Sequence, residues 1–132
     1  MGWTMARVKY QQVIVASTTN GAGATTRGAI DVRNRDGGVV TIRITNGATG
    51  PSESCVAHVM ISHEVGATPD TAAFGADWKI AKEFIGQLGD NAVTHRAYEF
   101  GPAVQHIQIE FSGNTGQAVT VEAIASTVDY SA

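Results

Sequence analysis

The chain has 132 residues and a mass of 13.8 kDa, and 43% of its residues are hydrophobic, the size and apolar content of one domain with a continuous core. Charged residues make up only 16%, against about 25% in an average soluble domain, and the net charge is −3. No run approaches the roughly 20 apolar residues of a membrane span, so no membrane partner is expected; the lone Cys55 excludes an internal disulfide, and the start Met1 to Arg7 lacks the apolar stretch of a signal peptide, so folding in a cytoplasm with the N-terminus retained is expected.

An arm of residues 1–7 leads into Val8 to Ala16, which alternates as a first strand. Ser17 to Thr26 follows as a connection of small residues without an apolar period. Ala29 to Arg33 then runs toward a turn at Asp36-Gly37-Gly38, and Val39 to Thr45 enters the stretch Asn46-Gly47-Ala48-Thr49-Gly50. The same Gly-x-Thr-Gly chemistry returns in Gly113-Asn114-Thr115-Gly116 after Ile107 to Phe111, and each copy precedes a second apolar segment, Val56 to Ile61 or Val119 to Ile124. Glycine supplies positive φ and Asn and Thr bond locally to the backbone, so both copies predict strand, turn, strand, with Gly47, Gly50, Gly113 and Gly116 as the turn positions closed to side chains.

In the fourth strand Cys55, Ala57, Val59 and Ile61 share one face and Val56, His58, Met60 and Ser62 the other; being apolar on both sides, it is expected to be central, with Cys55 a buried thiol. Thr68 to Asp77 is too polar and too rich in breakers to be core. Trp78 to Leu88 fits a helix with Trp78, Ala81, Ile85 and Leu88 on one side, or a strand with Trp78, Ile80 and Phe84 on one side and Lys82 breaking the pattern; the strand is the preferred reading. Val93 to Phe100, Val104 to Phe111 and Ala118 to Val128 complete the count, with Gly101-Pro102 turning between the first two. About eight short strands at regular spacing predict an all-β fold, an antiparallel β-sandwich or small barrel, over residues 1–132 as a single domain.

Residues that carry chemistry are sparse. His58 and His63 lie on opposite faces of one strand, and His95 with His106 on the next predicted hairpin lack a third ligand, so no metal site is expected. Glu99 and Glu110 fall across the same hairpin, where surface alternation explains them. There is no Gly-x-Ser-x-Gly elbow and no phosphate loop, so neither enzyme activity nor a cofactor is expected. Trp78 is the strongest anchor, read as a plug at the end of the core in preference to an exposed sugar platform.

Few charges among abundant Thr, Ser, Gly, Asn and Gln predict an uncharged polar surface packed against other chains; the competing reading is a low-charge monomer. Residues 1–43 hold Arg7, Lys9, Arg27, Arg33, Arg35 and Arg43 against Asp31 and Asp36, a balance of +4, and the remainder balances at −7. That split favours head-to-tail association or an acidic partner surface. Nucleic acid is not expected as a partner, because the basic residues are few and alternate with Thr and Val in predicted strands. The expected partner contacts are Trp3, Met5, Arg7 and Lys9 on the arm, which combine an apolar anchor with basic charge, and Thr18, Asn20 and Thr25 in the small-residue connection.

The order Val39 to Thr45, Asn46 to Pro51, Ala57 to Ser62, Asp77-Trp78 and Phe111 to Ala123 resembles small virion proteins of tailed bacteriophages, over roughly residues 27–126. The resemblance implies a β-sandwich with a structural role, most naturally a capsid decoration or cement protein. Such a protein would form a homotrimer, bridge subunits of the major capsid protein on the virion exterior, and be made in the bacterial host cytoplasm. The alternative is a tail, neck or baseplate component, or a carbohydrate- or receptor-binding module built on Trp78 and nearby polar loops.

Overall fold

A computed structural model of the chain describes residues 6–63 and 78–131, which form eight strands. They are β1 (Ala6–Asn20), β2 (Thr26–Asp31), β3 (Gly38–Asn46), β4 (Val56–Ser62), β5 (Lys79–Ile85), β6 (Val93–Phe100), β7 (His106–Ser112) and β8 (Val119–Ser131). Sheet A has the order β1-β8-β3-β6 and sheet B the order β2-β7-β4-β5, all neighbours antiparallel. The pairs β1 with β8, β2 with β7, β3 with β6 and β4 with β5 are nested, as if one long hairpin were folded over, and the contacts of β8 with β3 and of β7 with β4 close the wrap. This is the eight-strand double-sheet arrangement of a jelly roll. The all-β antiparallel sandwich is as expected; the sheets are two open layers and not a closed barrel.

Alternation along each strand places one side chain set between the sheets. Val40, Ile42 and Ile44 of β3 and Val121, Ala123 and Ala125 of β8 meet Ala57 and Val59 of β4 and Ile107, Ile109 and Phe111 of β7 in one buried cluster. Strand β4 is interior to its sheet, between β7 and β5, and Cys55 just before it is buried. Trp78 is buried too, but elsewhere: with Met60 and Ala29 it forms a second cluster, separate from the core between the sheets.

Two readings change. Among the described strands, only β4 and β5 follow each other within one sheet, so both Gly-x-Thr-Gly turns, and the Gly101-Pro102 turn, cross from one sheet to the other and close no hairpin. His95 and His106, and likewise Glu99 and Glu110, therefore lie on different sheets. Second, β1 runs through Ser17 to Asn20, so only residues 21–25 of the predicted connection are a loop. The preferred reading of Trp78 to Leu88 as a strand holds: Lys79–Ile85 form β5, in which Val59 pairs Lys82 and Met60 pairs Ile80. Ala81 is an extra residue, and that bulge is why Lys82 breaks the alternation.

The two turns share a location. They lie side by side, with the Ser52 amide donating to the Thr115 carbonyl at 2.8 Å and a bridge between Glu53 and Thr115. Their glycines do not share one conformation. Gly113 and Gly116 have φ of 95° and 80°, whereas Gly47 and Gly50 are not in the positive-φ region. Gly50 is closed for a different reason, since a Cβ there would collide with the Leu88 carbonyl, and Gly47 has room for one. The closed positions thus include Gly50, Gly113 and Gly116 but not Gly47, which is exposed and where the nearest atom to an added Cβ is the Thr49 carbonyl oxygen at 4.0 Å.

Candidate functional site

The outer faces of the two sheets differ in what covers them. On sheet A, register places Gln11, Ser126, Val39 and Glu99 in one row, Val13, Ile124, Thr41 and Ala97 in the next, and Glu122, Arg43 and His95 in a third. Val13 is 57% exposed and none of these residues is fully buried. Small and β-branched side chains suit a pleated surface, and here they leave that surface open and nearly flat.

Two depressions interrupt it. At one end Arg7 and Lys9 of β1 and Glu99 of β6 border an open hollow of about 770 Å³ floored by Val39, Ser126 and Val128. Toward the other end a cavity of about 230 Å³ is lined by Ser17, Arg43, Thr45, Thr120, Val121 and Glu122. Its origin is in β1: the stretch Val13 to Thr18 spans only Val121 to Ile124 of β8, two residues more than the register needs. Such bulges bend a strand, and this one presses the Ile14 carbonyl so close to Gly28 of β2 that no Cβ would fit there. Arg43 and Glu122 face each other across the ladder, yet among the described residues neither makes a hydrogen bond or ion pair.

On sheet B a polar row crosses all four strands. Arg27 Nε donates to Glu110 Oε2 at 2.7 Å, His58 Nδ1 lies 3.5 Å from Glu110 Oε1, and His58 Nε2 lies 3.1 Å from Glu83 Oε2. In the neighbouring rows His106, Gln108, Met60 and Ser62 are buried, while Asp31, Ile80 and Ile85 on the edge strands are exposed. Trp78, 2% exposed, packs on Met60 and meets the His106 ring edge-on at 6.3 Å. Strand β7 is therefore buried on both faces, and the Gln108 amide oxygen has no hydrogen-bond partner.

At the end of the sandwich that holds residues 21–25, 47–55, 86–92 and 113–118, asparagines lock the loops together. Asn20 Nδ2 donates to Asn114 Oδ1 at 2.6 Å, Thr26 Oγ1 donates to Asn20 Oδ1 at 2.7 Å, and Asn114 Nδ2 donates to the carbonyls of Asn20 and Gln117. Asn46 Nδ2 donates to the carbonyls of Gln87 and Gly89, both at 2.8 Å. The sequence signal for these locks was present in Asn20-Gly21, Asn46-Gly47 and Gly113-Asn114, which reads as turn chemistry until the loops are seen together.

The expected contact residues separate. Arg7 and Lys9 are exposed at one end of β1, and Thr18 and Thr25 are exposed at the other; Lys9 and Thr18 pair with Val128 and Val121 of β8, about 23 Å apart at roughly 3.3 Å per residue. Asn20 is fully buried, and its side chain is committed to Asn114, Thr26 and Ala24 within the chain. Trp3 and Met5, and the polar loop Thr68 to Asp77, lie outside the described residues. Sequence reasoning missed a strip of exposed apolar side chains, Ile85, Leu88 and Val93, on the facing ends of β5 and β6 and the loop between them.

Among the described residues no group of three His, Cys, Asp or Glu could hold a metal ion, and no helix is long and apolar enough to cross a membrane. Burial pushes the Cys55 thiol up to about 11, against the pull of a hydrogen bond with the Ser112 backbone, so it stays protonated and unreactive near neutrality.

No protein-family model matches the chain, and no curated protein matches it. Solved structures do. The K3 cleaved adhesin domain of Lys-gingipain from Porphyromonas gingivalis is 9% identical with a TM-score of 0.57, over 84% of this chain and 73% of that one. The Yersinia pseudotuberculosis-derived mitogen is 11% identical with a TM-score of 0.51, over 94% of this chain and 86% of that one. Viral proteins follow at lower TM-scores, among them a structure of Desmodium yellow mottle tymovirus, 7% identical with a TM-score of 0.42, over 100% of this chain and 92% of that one. The first two share the fold of this chain; the third score is too low to define a common fold.

Proposed function

We propose that the chain is a virion structural module, a capsid decoration or cement protein of a tailed bacteriophage, seated on the capsid exterior by the outer face of sheet A. The observation that carries this reading is the exposed central row of that face, where Val13 is 57% exposed beside Ile124, Thr41 and Ala97, in a domain whose opposite sheet has Met60 buried under Trp78. Seating the central row on another protein buries β-branched side chains such as Val13 and Ile124, with the charged residues of the face at its two ends. Arg7 and Lys9 at one end of β1 supply basic charge for an acidic surface of the major capsid protein, continuous in sequence with Trp3 and Met5.

Self-association as a homotrimer belongs to the same proposal, with Ile85, Leu88 and Val93 as the apolar strip that a second copy covers. The mechanism is additive burial: each copy adds a modest interface, and many symmetry-related copies together hold the shell, with no catalytic step and no cofactor. The test is binding to particles that lack the protein. Val13→Glu and deletion of residues 1–6 should each weaken particle binding at least about tenfold at unchanged melting temperature. Equal binding by both variants places the contact off sheet A and overturns the reading.

A tail, neck or baseplate module that binds a carbohydrate or receptor is the second reading. Buried Trp78 offers no sugar platform, so what favours this reading is the cavity beside Arg43. A glycan array separates the two.

A further inference from the structure

We infer that the cavity between Ser17 and Arg43 is a binding site for an acidic saccharide, a sugar ring bearing one carboxylate among its hydroxyls. The cavity measures about 230 Å³, below the roughly 300–1,000 Å³ that takes a drug-sized ligand, so it suits one ring. Its polar groups are the Arg43 guanidinium, the Glu122 carboxylate and the hydroxyls of Ser17, Thr45 and Thr120, which come from β1, β3 and β8.

The guanidinium decides the ligand's charged group. Its donors form a rigid fork that matches a carboxylate in two parallel hydrogen bonds, and among the described residues nothing occupies that fork. An arginine opposite a glutamate on adjacent strands ordinarily closes into an ion pair. This one is left open, between Glu122 on one side and His95 on the other.

Glu122 decides what the rest of the ligand must be. It repels a second negative charge, which disfavours a phosphate or sulfate, and it accepts hydrogen bonds, which a neutral polyol donates well. The three hydroxyl side chains donate or accept as the sugar requires. Among the described residues no aromatic ring lines the cavity, so from them a neutral sugar would gain neither a stacking platform nor an ion pair.

The site is a product of the fold rather than a gap in it. The two extra residues of β1 between Val13 and Thr18 open the surface next to Thr120 and Val121, and Gly28 makes room for the displaced backbone beneath. Ser17 lies about 20 Å along sheet A from Lys9, so the site is distinct from the Arg7 and Lys9 corner; it rests on the second, carbohydrate-binding reading and shares the outer face of sheet A with the proposed capsid seat, so the two occupants compete for that face.

The test is a titration of the full chain, followed by NMR, with D-glucuronate and N-acetylneuraminate, and with D-glucose and inorganic sulfate as controls. At least one acidic sugar should give saturable shifts at Ser17, Arg43, Thr120 and Glu122, with glucose and sulfate at least about tenfold weaker. Arg43→Ala should weaken that binding at least about tenfold, and Arg43→Lys, which keeps the charge and loses the fork, should restore it only in part. No saturable shift by either acid below about 50 mM, equal binding of glucose or sulfate, or unchanged affinity in Arg43→Ala overturns the proposal. Binding of Arg43→Ala to particles, measured alongside, keeps the two outcomes apart: a lost sugar with retained particle binding speaks to the cavity alone.

Discussion

On the outer face of sheet B each charged side chain of the row Arg27, Glu110, His58 and Glu83 has a neighbour within 3.5 Å, and Trp78 is buried against the row beyond. On the outer face of sheet A, Arg43 and Glu122 stand opposite each other unpaired, and Val13 is 57% exposed. Both faces are built on the same wrapped hairpin and the same kind of alternation. What separates them is whether the chain itself completes the surface. Sheet B pairs the charges of that row within the chain, although the Gln108 amide oxygen beside it has no partner; sheet A leaves Arg43, Glu122 and the exposed Val13 for something else.

The largest effect should come from the covered face. Trp78→Ala removes a fully buried ring and should cost about 3–5 kcal/mol, seen as a fall in melting temperature, even though the ring is outside the main core. If that variant melts like wild type, face B is no more closed than face A.

Next, Glu110→Gln leaves Arg27 and His58 without the carboxylate they share and should cost about 2 kcal/mol by denaturant titration. A smaller loss is expected at Asp31, which faces His106 in the register of the same sheet. The Arg33 side chain hydrogen bond, with smaller help from the Arg33 backbone amide and the nearby charges, holds the Asp31 carboxyl down to about 2. A lowered folded value means the stabilisation is complete above about pH 4, where the unfolded carboxyl is ionised, and is lost as pH falls toward 2. Because the pair is exposed and screened, Asp31→Asn should cost about 0.5 kcal/mol or less at pH 7, a difference that closes in acid.

The smallest change belongs to face A. Arg43→Ala, Glu122→Gln and Val13→Thr should each move stability by less than about 0.5 kcal/mol, because none of the described residues relies on them. A larger loss in any of them would erase the contrast between the faces.

How much of this was legible in the sequence depends on the range of the interaction. Alternation in Val39 to Thr45 and in Ile107 to Phe111 exposed the core-facing residues, because period two is a local property. The repeated Gly-x-Thr-Gly turns were recognisable as turns, but the same local chemistry serves a hairpin and a crossing between sheets, so their role was misread until β3 and β4 were seen in different layers. The burial of Trp78 was readable from its size, whereas its seat on Met60 and Ala29 depends on pairing between distant strands. The cavity was not legible at all. Arg43, Glu122 and Ser17 meet only through the register of β1, β8 and β3, and the bulge that opens the surface has no sequence mark.

The most direct test of the capsid reading is electron cryo-microscopy of the native particle with the domain fitted into its density. Density is expected on the capsid exterior, with the outer face of sheet A and the Arg7 and Lys9 end of β1 against the shell and sheet B turned to solvent. Density that seats sheet B on the shell, or a particle with no copy of the domain on its capsid, would contradict it.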